Sequence, residues 1–135
     1  MSLNESLNDV VRQVPDCLAA GMVDLETGML LGIKTVDSHP QEVIDLLAAA
    51  TGDLFQGPTV VSIEKMFKKA RGLDPNNDHH YFREIIVLSD NLIHVFVRGK
   101  ENDGQVLVTV CRPSANMGMV LTKTRSCVGT VEAAV

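Results

Sequence analysis

The sequence predicts an α/β protein: a three-layer α/β/α sandwich around a five-stranded, mainly antiparallel sheet, in the order α-β-β-α-β-β-β-α. Three observations carry this. Apolar residues recur at helical spacing at both ends and in the middle of the chain. Between them lie two blocks of β-forming runs joined by short polar turns, which read as hairpins and therefore as antiparallel pairs. The strands of the later block are apolar on both faces, so helices must cover both sides of the sheet.

Leu3, Leu7, Val10, Val11 and Val14 form the first helical stripe, with Asn4, Asn8, Asp9 and Arg12 between them, and Pro15 ends it. Two apolar runs, Cys17 to Val23 and Met29 to Ile33, then flank Asp24-Leu25-Glu26-Thr27-Gly28, a hairpin turn in which Gly28 can supply a positive φ. Ser38 and Gln41 have capping-box spacing, with Pro40 in the permissive first turn. Val43, Leu46, Leu47, Ala50, Leu54 and Phe55 make the middle stripe, which ends at Gly57-Pro58. A second helical stretch, TVVSIEKMFKKARG, puts Val60, Ile63, Met66, Phe67 and Ala70 on one face, with Lys65, Lys68, Lys69 and Arg71 largely elsewhere; Gly72 terminates it. Residues 73–80, LDPNNDHH, read as an exposed loop.

The second block is predicted as strands from Tyr81 to Leu88, Leu92 to Arg98 and Gln105 to Cys111, joined by turns at Asp90-Asn91 and GKENDG. Pro113-Ser114 starts the last helix, with Met117, Leu121, Thr124, Val128 and Val131 as its stripe. Ile93, Val95 and Val97 share one sheet face and Leu92, His94 and Phe96 the other. The two terminal helices are expected on one face and the middle segment on the other. The strand at 83–88 is expected at the sheet's edge, where its IIVL run invites pairing with another chain.

At 135 residues the chain is expected to form a single domain, residues 1–135, with a full core. Its 45% apolar and 21% charged residues are ordinary for a globular protein. A formal charge of −5 argues against binding to nucleic acid or to an anionic membrane surface. No apolar run approaches the roughly 20 residues needed to span a bilayer. MSLNESLND lacks the basic and apolar regions of a secretory leader, and three cysteines without a CxxC pair suit a reducing compartment. Both point to a cytoplasmic protein.

Few residues suggest chemistry. Asp78, His79 and His80 have metal-ligand types, but adjacent histidines on a loop diverge and spacing supplies no further ligand, so an exposed polar loop is expected. His94, in an apolar strand, reads as a half-buried histidine with a hydrogen bond. Cys17, Cys111 and Cys127 lie in apolar patterns and read as core. Met22, Met117 and Met119 read as packing residues rather than an adaptable binding surface. The glycines form neither GxGxxG nor GxxxxGK[ST], which argues against a nucleotide site. Lys65, Lys68, Lys69 and Arg71 are the basic cluster of an acidic protein; they read as a solvated helix face, with a docking patch for an acidic partner as the functional alternative.

Three stretches together resemble the Roadblock/dynein light chain family: GMVDLETGMLLG, its opening hairpin; EVIDLLAAATGDLF, its alanine-rich middle helix; and IIVLSDNLIHVFV followed by VLVTVCRPSANMGMV, its last strands running into a terminal helix. The resemblance covers about residues 5 to 133 and rests on apolar positions, not on a catalytic string. It implies a non-enzymatic domain without cofactor that dimerises, with itself or a relative, through its middle helix and the strand after it. Those positions are Leu46, Leu47, Ala50 and Leu54 on the helix and Ile85 and Val87 on the strand. It further implies a scaffold, or a regulator of a small Ras-like GTPase. The segment from Gly57 to His80 departs from the family in being longer than the usual link. A small-molecule sensor domain is the competing reading, because sheets of this kind can cradle ligands under a covering helix.

Overall fold

The computed structural model describes residues 1–37 and 41–135, apart from the side chains of residues 41–43, 45 and 46. Nine elements follow in order: α1 (Leu3–Gln13), β1 (Cys17–Asp24), β2 (Met29–Thr35), α2 (Gln41–Gln56), α3 (Pro58–Ala70), β3 (Glu84–Leu88), β4 (Ile93–Arg98), β5 (Gln105–Cys111) and α4 (Met117–Ala134). The sheet order is β2-β1-β5-β4-β3, and every neighbouring pair is antiparallel. The two hairpin blocks thus meet at β1 and β5, while the crossover through α2 and α3 carries the chain from one edge to the other.

α1 starts where Ser2 accepts the Glu5 amide at 3.1 Å and stops where Val14 turns extended before Pro15. It lies with α4 on one sheet face. Leu7 and Val10 from α1, and Val14 just after it, pack with Met22, Val95, Val97 and Leu107 from the strands and with Val120, Val128 and Val131 from α4. Gly32 allows the helix to sit this close: a Cβ there would lie 2.9 Å from Leu3 Cδ2. Thr109 and Thr124, both buried, satisfy each other at 2.9 Å, so the polar atoms in this layer are paired.

The opposite face carries a smaller cluster of Leu25, Phe55, Phe96 and Val106, with Phe82, Ile85 and Val108 against it. Here α2 does the covering. Ile44, Ala48, Thr51 and Phe55, spaced four, three and four residues apart, are its buried positions among the described side chains. The capping box proposed for Ser38 and Gln41, with Pro40, lies outside the described residues.

Three expectations are corrected. The strand expected from Tyr81 begins only at Glu84, because residues 81–83 are held sideways: Tyr81 N–H donates to Glu64 at 2.6 Å and the Phe82 carbonyl accepts from Arg98 Nε at 2.8 Å. The last helix starts after Asn116, not at Pro113-Ser114, since the Asn116 side chain caps the Met119 amide at 3.1 Å. Its inward stripe is Val120, Thr124, Cys127, Val128 and Val131, leaving Met117 exposed. The third correction is the largest. α3 buries Glu64 and Lys68, 2% and 4% exposed, and turns Met66 and Phe67 outward, 69% and 47% exposed. The loop after α3 supplies polar partners for the buried pair, which an apolar periodicity cannot foresee.

Candidate interaction surfaces

Three surfaces stand out among the described residues. The first is α2's outer flank. Leu47, Ala50 and Leu54 fall at i, i+3 and i+7, and all three are exposed, Leu47 at 52% and Leu54 at 37%. A helix with one apolar stripe on its own sheet and a second facing out is built for two partners. Leu46, expected beside them, lies outside the described side chains.

β3 forms the second surface. It is one of the sheet's two edge strands, with β2 the other, and pairs within the sheet with β4 alone. Ile85 stands opposite Phe96 and packs half-buried on the inner cluster, while Val87 stands opposite His94 and is exposed. Ile86 and Leu88 point to the other face and are also exposed, Leu88 at 64%. The edge therefore offers free backbone groups between apolar side chains, the combination that pairs readily with another strand. Glu84 at its start is fixed from behind: Arg125 on α4 donates to both carboxylate oxygens at 2.6 Å, which holds the Glu84 carboxyl below its usual range.

Between α2 and the sheet lies an apolar cavity of about 370 Å³, lined by Leu18, Val23, Leu30, Ile33, Ile44, Leu47, Leu92, Val108 and Val110, with His94 among them. Leu47 joins it to the outer flank of α2. His94 Nε2 lies 3.3 Å from Ser89 Oγ, and burial pushes the imidazole's pKa down from its ordinary value. The half-buried, hydrogen-bonded histidine expected from the sequence is found.

The third surface is polar, a cleft of about 640 Å³ lined by Glu26, Gln56, Asp78, His80, Lys100, Glu101 and Asp103. Several of its groups already have partners. His80 Nδ1 is 3.2 Å from Glu64 Oε1, and Asp103 accepts from Arg83 at 2.9 Å. His79 turns away to pack edge-on against Tyr81. Adjacent His79 and His80 thus diverge, and among the described residues no three potential ligands converge on one point. One wall of the cleft is a turn whose amides at Lys100, Glu101 and Asn102 all donate to the Glu132 carboxylate, at 2.7, 2.9 and 2.9 Å. This nest of N–H groups is filled from within the chain.

Of the basic cluster, Lys65, Lys69 and Arg71 are exposed, but Lys68 is not. Its ammonium donates to the Asn77 carbonyl at 2.8 Å, closing the loop of residues 73–80. Lys68 therefore drops out of the surface patch. The sequence could have hinted at this: Glu64 and Lys68 are four residues apart, one turn of helix, and share a face. The cysteines are all buried, as expected. Cys17 and Cys111 are cross-strand neighbours, and hydrogen bonding to Cys17 together with burial pushes the Cys111 thiol far up. Among the described residues no helix is long and apolar enough to cross a membrane.

Neither a protein-family model nor a curated protein sequence matches the chain. Solved structures do. The gliding protein MglB of Thermus thermophilus superposes with a TM-score of 0.69 at 17% identity, covering 98% of this chain and 87% of that one. A Roadblock/LC7 domain from Streptomyces avermitilis gives 0.66 at 16%, covering 98% and 97%. MglC of Myxococcus xanthus gives 0.60 at 18%, covering the whole of both chains. With nearly the full chain superposed on each of them, the protein has the Roadblock/LC7 fold.

Proposed function

We propose that the chain works as a non-catalytic cytoplasmic homodimer, a scaffold or regulator whose partner is a small Ras-like GTPase or another signalling protein. One observation carries the dimer: α2 keeps a second apolar stripe, Leu47, Ala50 and Leu54, while the β3 edge keeps its backbone and Val87 free. Antiparallel pairing of two β3 edges would join two sheets into one, with the α2 flanks and Val87 contributing side-chain contact; Ile85 would support the seam from its inner side. A structure of MglB is described as having a tetrameric arrangement, which makes self-assembly familiar in this fold. The GTPase rests on the family resemblance alone, and fold does not fix function.

The regulator reading is tested by titrating the protein into a Ras-like GTPase of the same genome, loaded with GDP or with a non-hydrolysable GTP analogue, in a calorimeter. Heat that depends on the nucleotide supports it; no heat with either form removes the GTPase and leaves a scaffold.

The apolar cavity favours a second reading, a sensor of small apolar molecules. Its volume of about 370 Å³ falls in the range of ligand sites, roughly 300–1,000 Å³, and His94 supplies one polar contact. Enhanced fluorescence of anilinonaphthalene sulfonate with the native protein, lost in Ala48→Phe, would favour this reading. Equal fluorescence in both proteins would count against it.

A further inference from the structure

α3 contributes to neither core cluster and packs chiefly on α2. Its inner side is polar and tightly held: Glu64 accepts the Tyr81 amide at 2.6 Å and faces His80, and Lys68 reaches the Asn77 carbonyl. Its outer side is the reverse of a solvated face. Met66 and Phe67 are exposed there, and Leu73 follows, 46% exposed. Phe67 is steadied edge-on against Tyr81, ring centroids 5.7 Å apart, and Arg71 lies 5.6 Å above the same ring. All the exposed charges between Pro58 and Leu73 are positive, Lys65, Lys69 and Arg71, in a chain of formal charge −5. Lys65 and Lys69 stand four residues apart, a like-charge pair that disfavours the helix, and among the described residues neither forms an ion pair.

We propose that Lys65, Met66, Phe67, Lys69, Arg71 and Leu73 form a docking site for an acidic amphipathic segment of a partner protein. The partner's apolar side chains cover Met66, Phe67 and Leu73, and its carboxylates meet the three cations at the rim, where they add encounter rate and selectivity. An ordered aromatic anchor lowers the cost of binding, since Phe67 and Arg71 are already fixed on Tyr81. The charge of the whole chain decides against an anionic membrane, which would attract three cations but repel the rest. This surface shares no residue with the β3 edge or the Leu47–Leu54 flank, so it stands whether or not the chain dimerises there.

The test uses the full chain and a fluorescein-labelled synthetic helix of alternating glutamate and leucine turns, followed by anisotropy. Wild type is expected to bind it saturably, and more weakly as salt is raised. Met66→Ser and Phe67→Ser should each weaken binding roughly tenfold, the effect of losing an anchor of over 1 kcal/mol. Lys65→Glu/Lys69→Glu should abolish it, and a lysine–leucine helix should not bind. Circular dichroism melts matching wild type show that the variants are folded; Met66, the more exposed position, serves if Phe67→Ser is not. No saturable binding, or binding undiminished in the variants, overturns the proposal. So does capture by phosphatidylserine vesicles without peptide binding, which makes the face a membrane contact. A solution mass lowered by Met66→Ser overturns it in favour of a second copy.

Discussion

Arg98 lies with its guanidinium carbon 5.0 Å above the Phe55 ring, stacked on the residue whose carbonyl it also reaches. Its other N–H groups donate to the carbonyls of Phe82 at 2.8 Å and Asp103 at 2.7 Å. One buried side chain thus ties the end of α2, the approach to β3 and the β4–β5 turn into a single unit. Arg98→Ala would leave three inward carbonyls without a donor and open a gap beneath Phe55. The expected cost is about 3 kcal/mol, read as a lower urea midpoint at unchanged slope. Arg98→Lys should recover only part of it, because an ammonium cannot span the three acceptors.

Glu132 does a similar job on the same β4–β5 turn, anchoring α4 to residues 100–102 through three backbone amides. Glu132→Ala should cost roughly 2 kcal/mol, since charge-assisted bonds are lost together. Gly99→Ala should act on the same contact, because a Cβ there would run into the Asn102 carbonyl and lie 2.7 Å from Glu132 Oε2. Both effects are measured by thermal melts, and the double variant should fall short of their sum.

His94 gives stability a dependence on pH. Burial lowers its pKa in the folded chain below the ordinary 6.5. The unfolded chain therefore takes up the proton first, and stability should decline as pH falls below about 6.5, levelling off once the folded imidazole titrates. In His94→Leu the slope between neutral and mildly acidic pH should flatten. A wild-type profile that is already flat there would contradict the assignment. Glu84 and Asp103, held low by Arg125 and Arg83, lose their contribution only in more acidic solution.

The thiols should be silent in the native protein. Cys17, Cys111 and Cys127 are buried, and burial raises the Cys127 pKa. Ellman's reagent at mildly alkaline pH is expected to react slowly until denaturant is added, and then with all three. Rapid native reaction at any of them would show a core more open than described.

The sheet was legible from the sequence because its signals are local. Gly28 turns the first hairpin with φ +71°, and the alternation of Ile93, Val95 and Val97 against His94 and Phe96 places two covered faces on β4. The helices were harder. Periodicity reports that Leu47, Ala50, Leu54 and Phe55 are apolar, but not that Phe55 serves this chain's core while Leu47 and Leu54 look outward. α3 reversed its expected face because His80, Tyr81 and Asn77, far along the chain, satisfy Glu64 and Lys68. Polar partners across a loop leave no period to read. For the same reason the sequence alone groups Lys68 with the surface cations.

Self-association through the β3 edge and the α2 flank is read from the solution mass by light scattering. Wild type at micromolar concentration should weigh twice the chain's 14.6 kDa. Leu47→Glu/Leu54→Glu, which alters exposed positions only, should remain folded and weigh a single chain. A wild-type mass of one chain, or a double variant that stays at two, would rule out this seam.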